Sequence, residues 1–236
     1  MLEFFKFYFS INNKNKKLET KKFLQIFYIL LNILLSFNSI STEIKIISNP
    51  YLTNSKLRNL PEQNIYGSSF KLNYYYTNIY LGEDMQKQGL ILDTGSSITT
   101  STCKPLCQKC GNHISPPYDL KTENKIISCS DEKCQMVFSK CDNRTKSKCT
   151  FNINYSEGSS LEGFFVNEII RFGKNFTQQE GKYIPMGCTS RETHLFYKQE
   201  VNGIMGLCNN DKNFVNILYK FGAIKRNIFS LCYYKI

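Results

Sequence analysis

Residues 89–100 read GLILDTGSSITT. An apolar run, Leu90-Ile91-Leu92, ends in the carboxylate of Asp93, and Thr94-Gly95 then turns the chain before Ser96 and Ser97. Asp and Gly are poor strand residues, so a buried strand must stop at Asp93. Gly95 lets the backbone turn tightly beside the carboxylate, and Ser96 is placed to hydrogen-bond that carboxylate and keep it ionised. A carboxylate where a buried strand breaks is either a working group or a turn-former bonded to its own backbone. The rest of the chain decides between them.

The pattern on either side is β. FKLNYYYTNIYL (70–81) is rich in the residues strands favour, and Gly82-Glu83-Asp84 turns the chain into the GLIL strand. FNINY (151–155) alternates apolar and polar residues, SEGSS turns, and GFFVNEIIRFG returns, which predicts a hairpin with a multi-residue turn around Gly158. GIMGL (203–207) and IFSLCYYKI (228–236) read as further short strands. One helix is expected: Phe214, Ile217, Leu218 and Phe221 recur at helical spacing, with Asp211 as start cap and Gly222 as end signal. The chain therefore reads as all-β with one short helix.

The chain carries a net charge of +11 over 236 residues. Residues 1–42 hold six lysines against two glutamates, and the remaining +7 is spread thinly, with no dense basic patch among aromatics. Nucleic-acid binding is not expected on that footprint. Lys21-Lys22 precedes FLQIFYILLNILLSF (23–37), followed by Ser39 and Ser41. Residues 1–41 are expected to be a secretory signal peptide, or a signal anchor that would tether the protein to a membrane. Residues 42–68, polar and with Pro50 and Pro61, read as a propeptide or linker, and residues 69–236 as the folded lobe.

All ten cysteines follow the leader, seven of them between residues 103 and 149. In an oxidising compartment an even count implies disulfides. Sequons at Asn143, Asn154 and Asn175 fit a glycoprotein of the secretory pathway. A rival reading exists. Cys103, Cys107 and Cys110 share the spacing of an iron–sulfur triad, and with His113 they resemble a zinc ligand set. Both need reduced thiols, against the leader, and no β/α barrel pattern follows. No Gly-x-Ser-x-Gly, Walker or dinucleotide-binding pattern is present.

Taken in order, GLILDTGSS, INYSEGS, NGIMGL and FSLC resemble the N-terminal lobe of the pepsin-like aspartic proteases over residues 70–236. The resemblance implies half of a bilobal all-β fold. It makes Asp93 the first catalytic aspartate, with Thr94, Gly95 and Ser96 in support, and places Tyr155, Ser156, Glu157 and Gly158 in a flap over the substrate. Gly203–Leu207 would cross beneath Asp93. Two departures stand out: Gly82-Glu83-Asp84-Met85-Gln86 replaces the usual turn before the active strand, and Ser156-Glu157 replaces the common flap pair. The cysteine-rich insertion, 103–149, resembles that of the nepenthesin and plasmepsin V subgroup. It implies the pairs Cys103–Cys107, Cys110–Cys188, Cys129–Cys149 and Cys134–Cys141, with Cys232 bonded to a second lobe and Cys208 a buried free thiol.

Such enzymes hydrolyse peptide bonds with water activated by two aspartates, and need neither metal nor cofactor. No second Asp-Thr-Gly or Asp-Ser-Gly occurs here. The expectation is a fragment of a two-lobed endopeptidase. The alternatives are a lobe that pairs with its own copy, and an inactive secreted lobe that binds a peptide or partner.

Overall fold

The computed structural model describes residues 42–45, 62–68, 71–137, 140–141, 147–173 and 180–231. The leader, the sequons at Asn143 and Asn175, and Cys232 lie outside the described residues.

Eleven strands are named in chain order: β1 (Thr42–Lys45), β2 (Glu62–Ser68), β3 (Tyr74–Leu81), β4 (Gln86–Asp93), β5 (Thr100–Lys104), β6 (Tyr118–Asp119), β7 (Lys140–Cys141), β8 (Cys149–Asn154), β9 (Ser160–Arg171), β10 (Lys182–Glu192) and β11 (Gly203–Gly206). They pair in the order β1-β2-β3-β4-β11-β5-β10-β9-β8-β7, with β6 on β5 and a further β3–β9 pairing. Alternation explains β3, where Thr77, Ile79 and Leu81 are buried and their neighbours are not. In β2, within the stretch read as a linker, Gln63 and Ile65 alternate inward in the same way. Polar composition hid that strand.

The crossing beneath Asp93 is built by β4 and β11. They run parallel, with Gly203 opposite Leu90 and Gly206 opposite Asp93. β11 is antiparallel to β5, and β5 is parallel to β10. The backbones approach so closely that a Cβ on Gly203 would lie 1.9 Å from the Thr100 carbonyl oxygen, and one on Gly206 2.3 Å from the Ser97 carbonyl carbon. Only glycine fits either place. Leu90, Ile204 and Met205 bury this crossing in a core that includes Phe165, Ile184, Met186 and Leu218. Each such side chain contributes about 1.5–3 kcal/mol by leaving water.

Among the described residues there are three short α-helices: α1 (Glu132–Met136), α2 (His194–Lys198) and α3 (Phe214–Lys220). The helical spacing located α3, and Phe214, Val215, Ile217 and Leu218 are buried. Its cap is Asn213, whose side chain accepts from the Asn216 amide, and not Asp211. Asp211 lies too early in the chain, and its carbonyl instead accepts from Lys220. Gly222, at φ +68°, ends the helix as expected. α1 and α2 are single turns too short to show a period. The strand expected from residue 228 forms no ladder over 228–231 among the described residues, although Phe229 packs on the core.

Among the described residues, eight cysteines form four disulfides: Cys103–Cys188, Cys107–Cys110, Cys129–Cys141 and Cys134–Cys149. These are the expected eight, but none of the four implied pairings forms. Cys103 lies on β5 beside β10, with its Cα 5.3 Å from that of Cys188. The following loop runs on past Cys188 to a bridge between Lys109 and Arg191, so Cys110 is carried beyond Cys188 and closes on Cys107. Cys141 and Cys149 sit directly opposite each other on β7 and β8 and take different partners. Cys134, buried on α1, takes Cys149, which leaves Cys129 to Cys141. Cys208 is free and half-buried, with its sulfur 3.0 Å from the Ser97 hydroxyl.

Candidate active site

Asp93 is the last residue of β4, and its backbone is held from two sides. Its register partner is Gly206, and the Leu207 amide donates to its carbonyl at 2.8 Å. The Cys208 amide donates to the Ser96 carbonyl at 3.0 Å, and the Gly206 amide donates to the Thr99 hydroxyl at 3.2 Å. The turn after Asp93 is thus stitched to the segment that crosses beneath it. The Gly95 amide folds back to donate to Asp93 Oδ1 at 2.8 Å. Ser96 does not make the expected bond to the carboxylate, whose Oδ1 accepts from the Gly95 amide. The Ser96 Oγ is buried with no partner of normal geometry among the described residues. Thr94 and Gly95 are exposed.

The hairpin of β8 and β9 reaches over this carboxylate. Its register runs to Asn154 opposite Ser160, leaving Tyr155–Ser159 as the tip. The Gly158 amide donates to the Tyr155 carbonyl at 3.0 Å, and Gly158 adopts φ +94°. Ser156, Glu157 and Gly158 are exposed at the tip. Tyr155 points the other way, and its hydroxyl donates to Asp93 Oδ2 at 2.7 Å. The phenol is held well above its ordinary range, first by burial. The Ser96 hydroxyl offsets part of that rise, and the Asp93 carboxylate adds to it. Tyr155 therefore stays a donor. The sequence-predicted Asp93, Gly95 and Tyr155 converge, Ser96 lies beside them, and Ser156 and Glu157 stay out at the rim.

Several neighbours carried no sequence signal. Phe196 on α2 meets the Tyr155 ring edge-on, with centroids 5.1 Å apart. Thr193 accepts from the Ser160 amide at 2.8 Å, and the Leu195 amide donates to Ser159 Oγ at 3.2 Å. These residues lie some forty positions after the hairpin, in a stretch without periodicity, and no local pattern marks them. The three cysteines of the metal-like triad and His113 do not converge: Cys103 bonds to Cys188, Cys107 to Cys110, and His113 to Glu192.

A β-strand ending in Asp-Thr-Gly, crossed by a parallel Gly-x-x-Gly strand and covered by a tyrosine-bearing hairpin, defines one lobe of an aspartic protease. The chain belongs to the pepsin-like aspartic proteases, as an N-terminal lobe: the family profile described as "Xylanase inhibitor N-terminal" matches residues 75–235. Plasmepsin V of Plasmodium falciparum is 31% identical over 175 residues, covering 71% of this chain and 29% of the relative. Aspartic protease 5 of Toxoplasma gondii is 28% identical over 191 residues, covering 71% of this chain and 19% of the relative. Aspartic proteinase 36 of Arabidopsis thaliana is 29% identical, covering 67% and 35%. A solved aspartic proteinase from Irpex lacteus superposes with a TM-score of 0.42 at 17% identity, covering 66% of this chain and 39% of that one. The chain spans about a third or less of the length of these curated relatives.

Proposed function

We propose that this lobe supplies Asp93 as one of two carboxylates in an aspartic endopeptidase, the second coming from another lobe. The observation that supports it is the placement of Asp93 at the strand crossing, with Tyr155 closed over it. Two carboxylates a few ångströms apart cannot both ionise easily and share one proton. The ionised one takes a proton from the attacking water, and the protonated one polarises the scissile carbonyl and then supplies the leaving nitrogen. The pair titrates as a unit.

Each residue of the lobe has a part in this. The Gly95 amide fixes Oδ1 of Asp93, and Oδ2 is turned to the Tyr155 hairpin. Tyr155 occupies that oxygen in the closed arrangement, so the hairpin must lift before water and peptide can enter, and it then excludes bulk water by closing over them. No step uses a metal or a cofactor. Disulfide pairing fits folding in the secretory pathway, where we place the protein.

The test is proteolysis of an unfolded protein substrate at acidic pH, by the chain alone and by the chain joined to a lobe with a second Asp-Thr-Gly or Asp-Ser-Gly. Activity only in the joined form, lost on Asp93→Asn, supports the reading. Activity of the lone chain with a dimeric sedimentation profile would point to self-pairing of Asp93. Silence in both, with peptide binding retained, would point to an inactive binding lobe.

A further inference from the structure

Glu192 and His113 form a pair whose side chains are both fully buried, outside the catalytic turn. His113 Nε2 lies 2.9 Å from Glu192 Oε2, and Nδ1 lies 3.0 Å from the Gln199 carbonyl oxygen. The Gly111 amide also donates to Oε2 at 2.9 Å, while Oε1 is buried with no partner among the described residues.

Protons can be counted here. A carbonyl only accepts, so Nδ1 carries hydrogen. A carboxylate only accepts, so Nε2 must carry hydrogen too if Glu192 is ionised; otherwise Glu192 itself must be protonated. Without that extra proton, two lone pairs would face each other in a buried site, which is costly. Burial works against the imidazolium, but the Glu192 bond and charge, with the Gln199 carbonyl, outweigh it and hold His113 above its ordinary range. On the elements that meet there, Lys109, Arg191, His194, Lys198 and Glu200 are exposed, and the Tyr74 hydroxyl accepts from the Glu200 amide. Glu192 is the charge that acts on the imidazole.

The pair anchors a strut. The Glu192 amide donates to the Lys109 carbonyl, and the Gln108 amide to the Ser190 carbonyl, so the Cys107–Cys110 loop is fastened to the end of β10. Beyond Glu192, Thr193 holds Ser160, and His194 is forced to φ +47°. The Leu195 amide then holds Ser159, and Phe196 meets Tyr155. Five consecutive residues thus run from the buried pair to the base of the hairpin and the ring of its tyrosine. A left-handed backbone at a non-glycine residue in the middle is strained, and the contacts at both ends of the strut hold it there.

We propose that His113 is a positioning residue: its shared proton with Glu192 fixes the strut 192–196, which holds the Tyr155 hairpin in acid and releases it when that proton is lost. The functional meaning of the hairpin rests on the protease reading; the strut does not. The sign follows from linkage. A histidine that binds its proton more tightly in the folded arrangement stabilises that arrangement at low pH, and the gain is lost as pH rises through the folded value.

The chain has two histidines, His113 and His194, so nitrogen-detected NMR of the full chain resolves both, with His194→Gln giving the assignment. His113 is expected to keep both ring protons above pH 6.5, the ordinary histidine value. Amide exchange at Ser160, Leu195 and Tyr155, corrected for its intrinsic pH dependence, should accelerate by up to about tenfold per pH unit once that proton is lost. Glu192→Gln should move both midpoints to lower pH together, and His113→Gln should flatten the exchange profile. A His113 titration that leaves those amides unchanged, or a Glu192→Gln protein with unmoved midpoints, overturns the proposal. No readout requires turnover, so failure of the strut and failure of the protease reading are separable.

Discussion

The Tyr155 hydroxyl donates to Asp93 Oδ2 at 2.7 Å, across 62 positions of sequence. With the Gly95 amide on Oδ1, both oxygens of the carboxylate are engaged by this chain. Asp93→Asn keeps the shape of the turn but removes the charge that would accept a proton from water. In the joined two-lobe enzyme it should lower kcat/KM by about 10²- to 10⁴-fold, the usual worth of a general acid–base group. Steady-state kinetics on a peptide substrate check this, and circular dichroism should show an unchanged fold.

Gly206 is the register partner of Asp93 and has no room for a side chain. Gly206→Ala sets a Cβ 2.3 Å from Ser97 C and 2.6 Å from Ile98 N, both backbone atoms that cannot turn aside. The expected loss is at least about 1–3 kcal/mol, the cost of overpacking a tight core. A lower urea midpoint with an unchanged m-value would establish it; a wild-type midpoint would contradict so close a crossing.

The disulfides differ in what they constrain. Cys103–Cys188 closes 85 positions and Cys107–Cys110 only 3. Loop entropy assigns the first about 4.5 kcal/mol and the second under about 2. Replacing both Cys103 and Cys188 by serine should therefore cost more in thermal stability than the same change at Cys107 and Cys110. Peptide mapping without reduction should return Cys129 linked to Cys141 and Cys134 to Cys149.

Glu168 is buried and accepts from the Tyr118 hydroxyl, from Lys125 at 2.8 Å and from the Ile169 amide at 2.9 Å. Burial, then the Glu168 carboxylate, push the Tyr118 phenol far above its ordinary value of 10.0. Folding thus disfavours the phenolate. The contribution is intact below pH 10 and is lost as pH rises past it. Tyr118→Phe should cost about 1.5–3 kcal/mol near neutral pH, since a charged acceptor loses a donor, and should blunt the alkaline fall in stability. Chemical denaturation across pH 7–11 measures both.

The strand break at Asp93, the hairpin turn around Gly158 and the short apolar stretch bracketed by Gly203 and Gly206 were legible locally; that Tyr155 lies over Asp93 and that Gly203–Leu207 crosses beneath it came from the resemblance to the pepsin-like lobe. Pairings between distant segments were not legible. The partner of Cys188 depends on which strand lies beside β10, and that is set by sheet order rather than spacing. The same holds for His113 and Glu192, 79 positions apart. β2 was masked by polar residues, although its alternation around Ile65 is present. The bond expected from Ser96 to Asp93 is not formed, and nothing local in the sequence marks the Gly95 amide as the donor to Oδ1.

The parallel crossing of β4 and β11 has a consequence for how the protein is made. Gly89 and Asn202, which flank it, are 113 positions apart. A ribosome releases β4 long before β11, so the seat of Asp93 cannot close until most of the lobe has emerged. Contacts of such long range slow folding and leave an apolar strand, Leu90-Ile91-Leu92, waiting without its neighbour. Burial of the Leu90–Leu92 strand should therefore follow synthesis of Gly206.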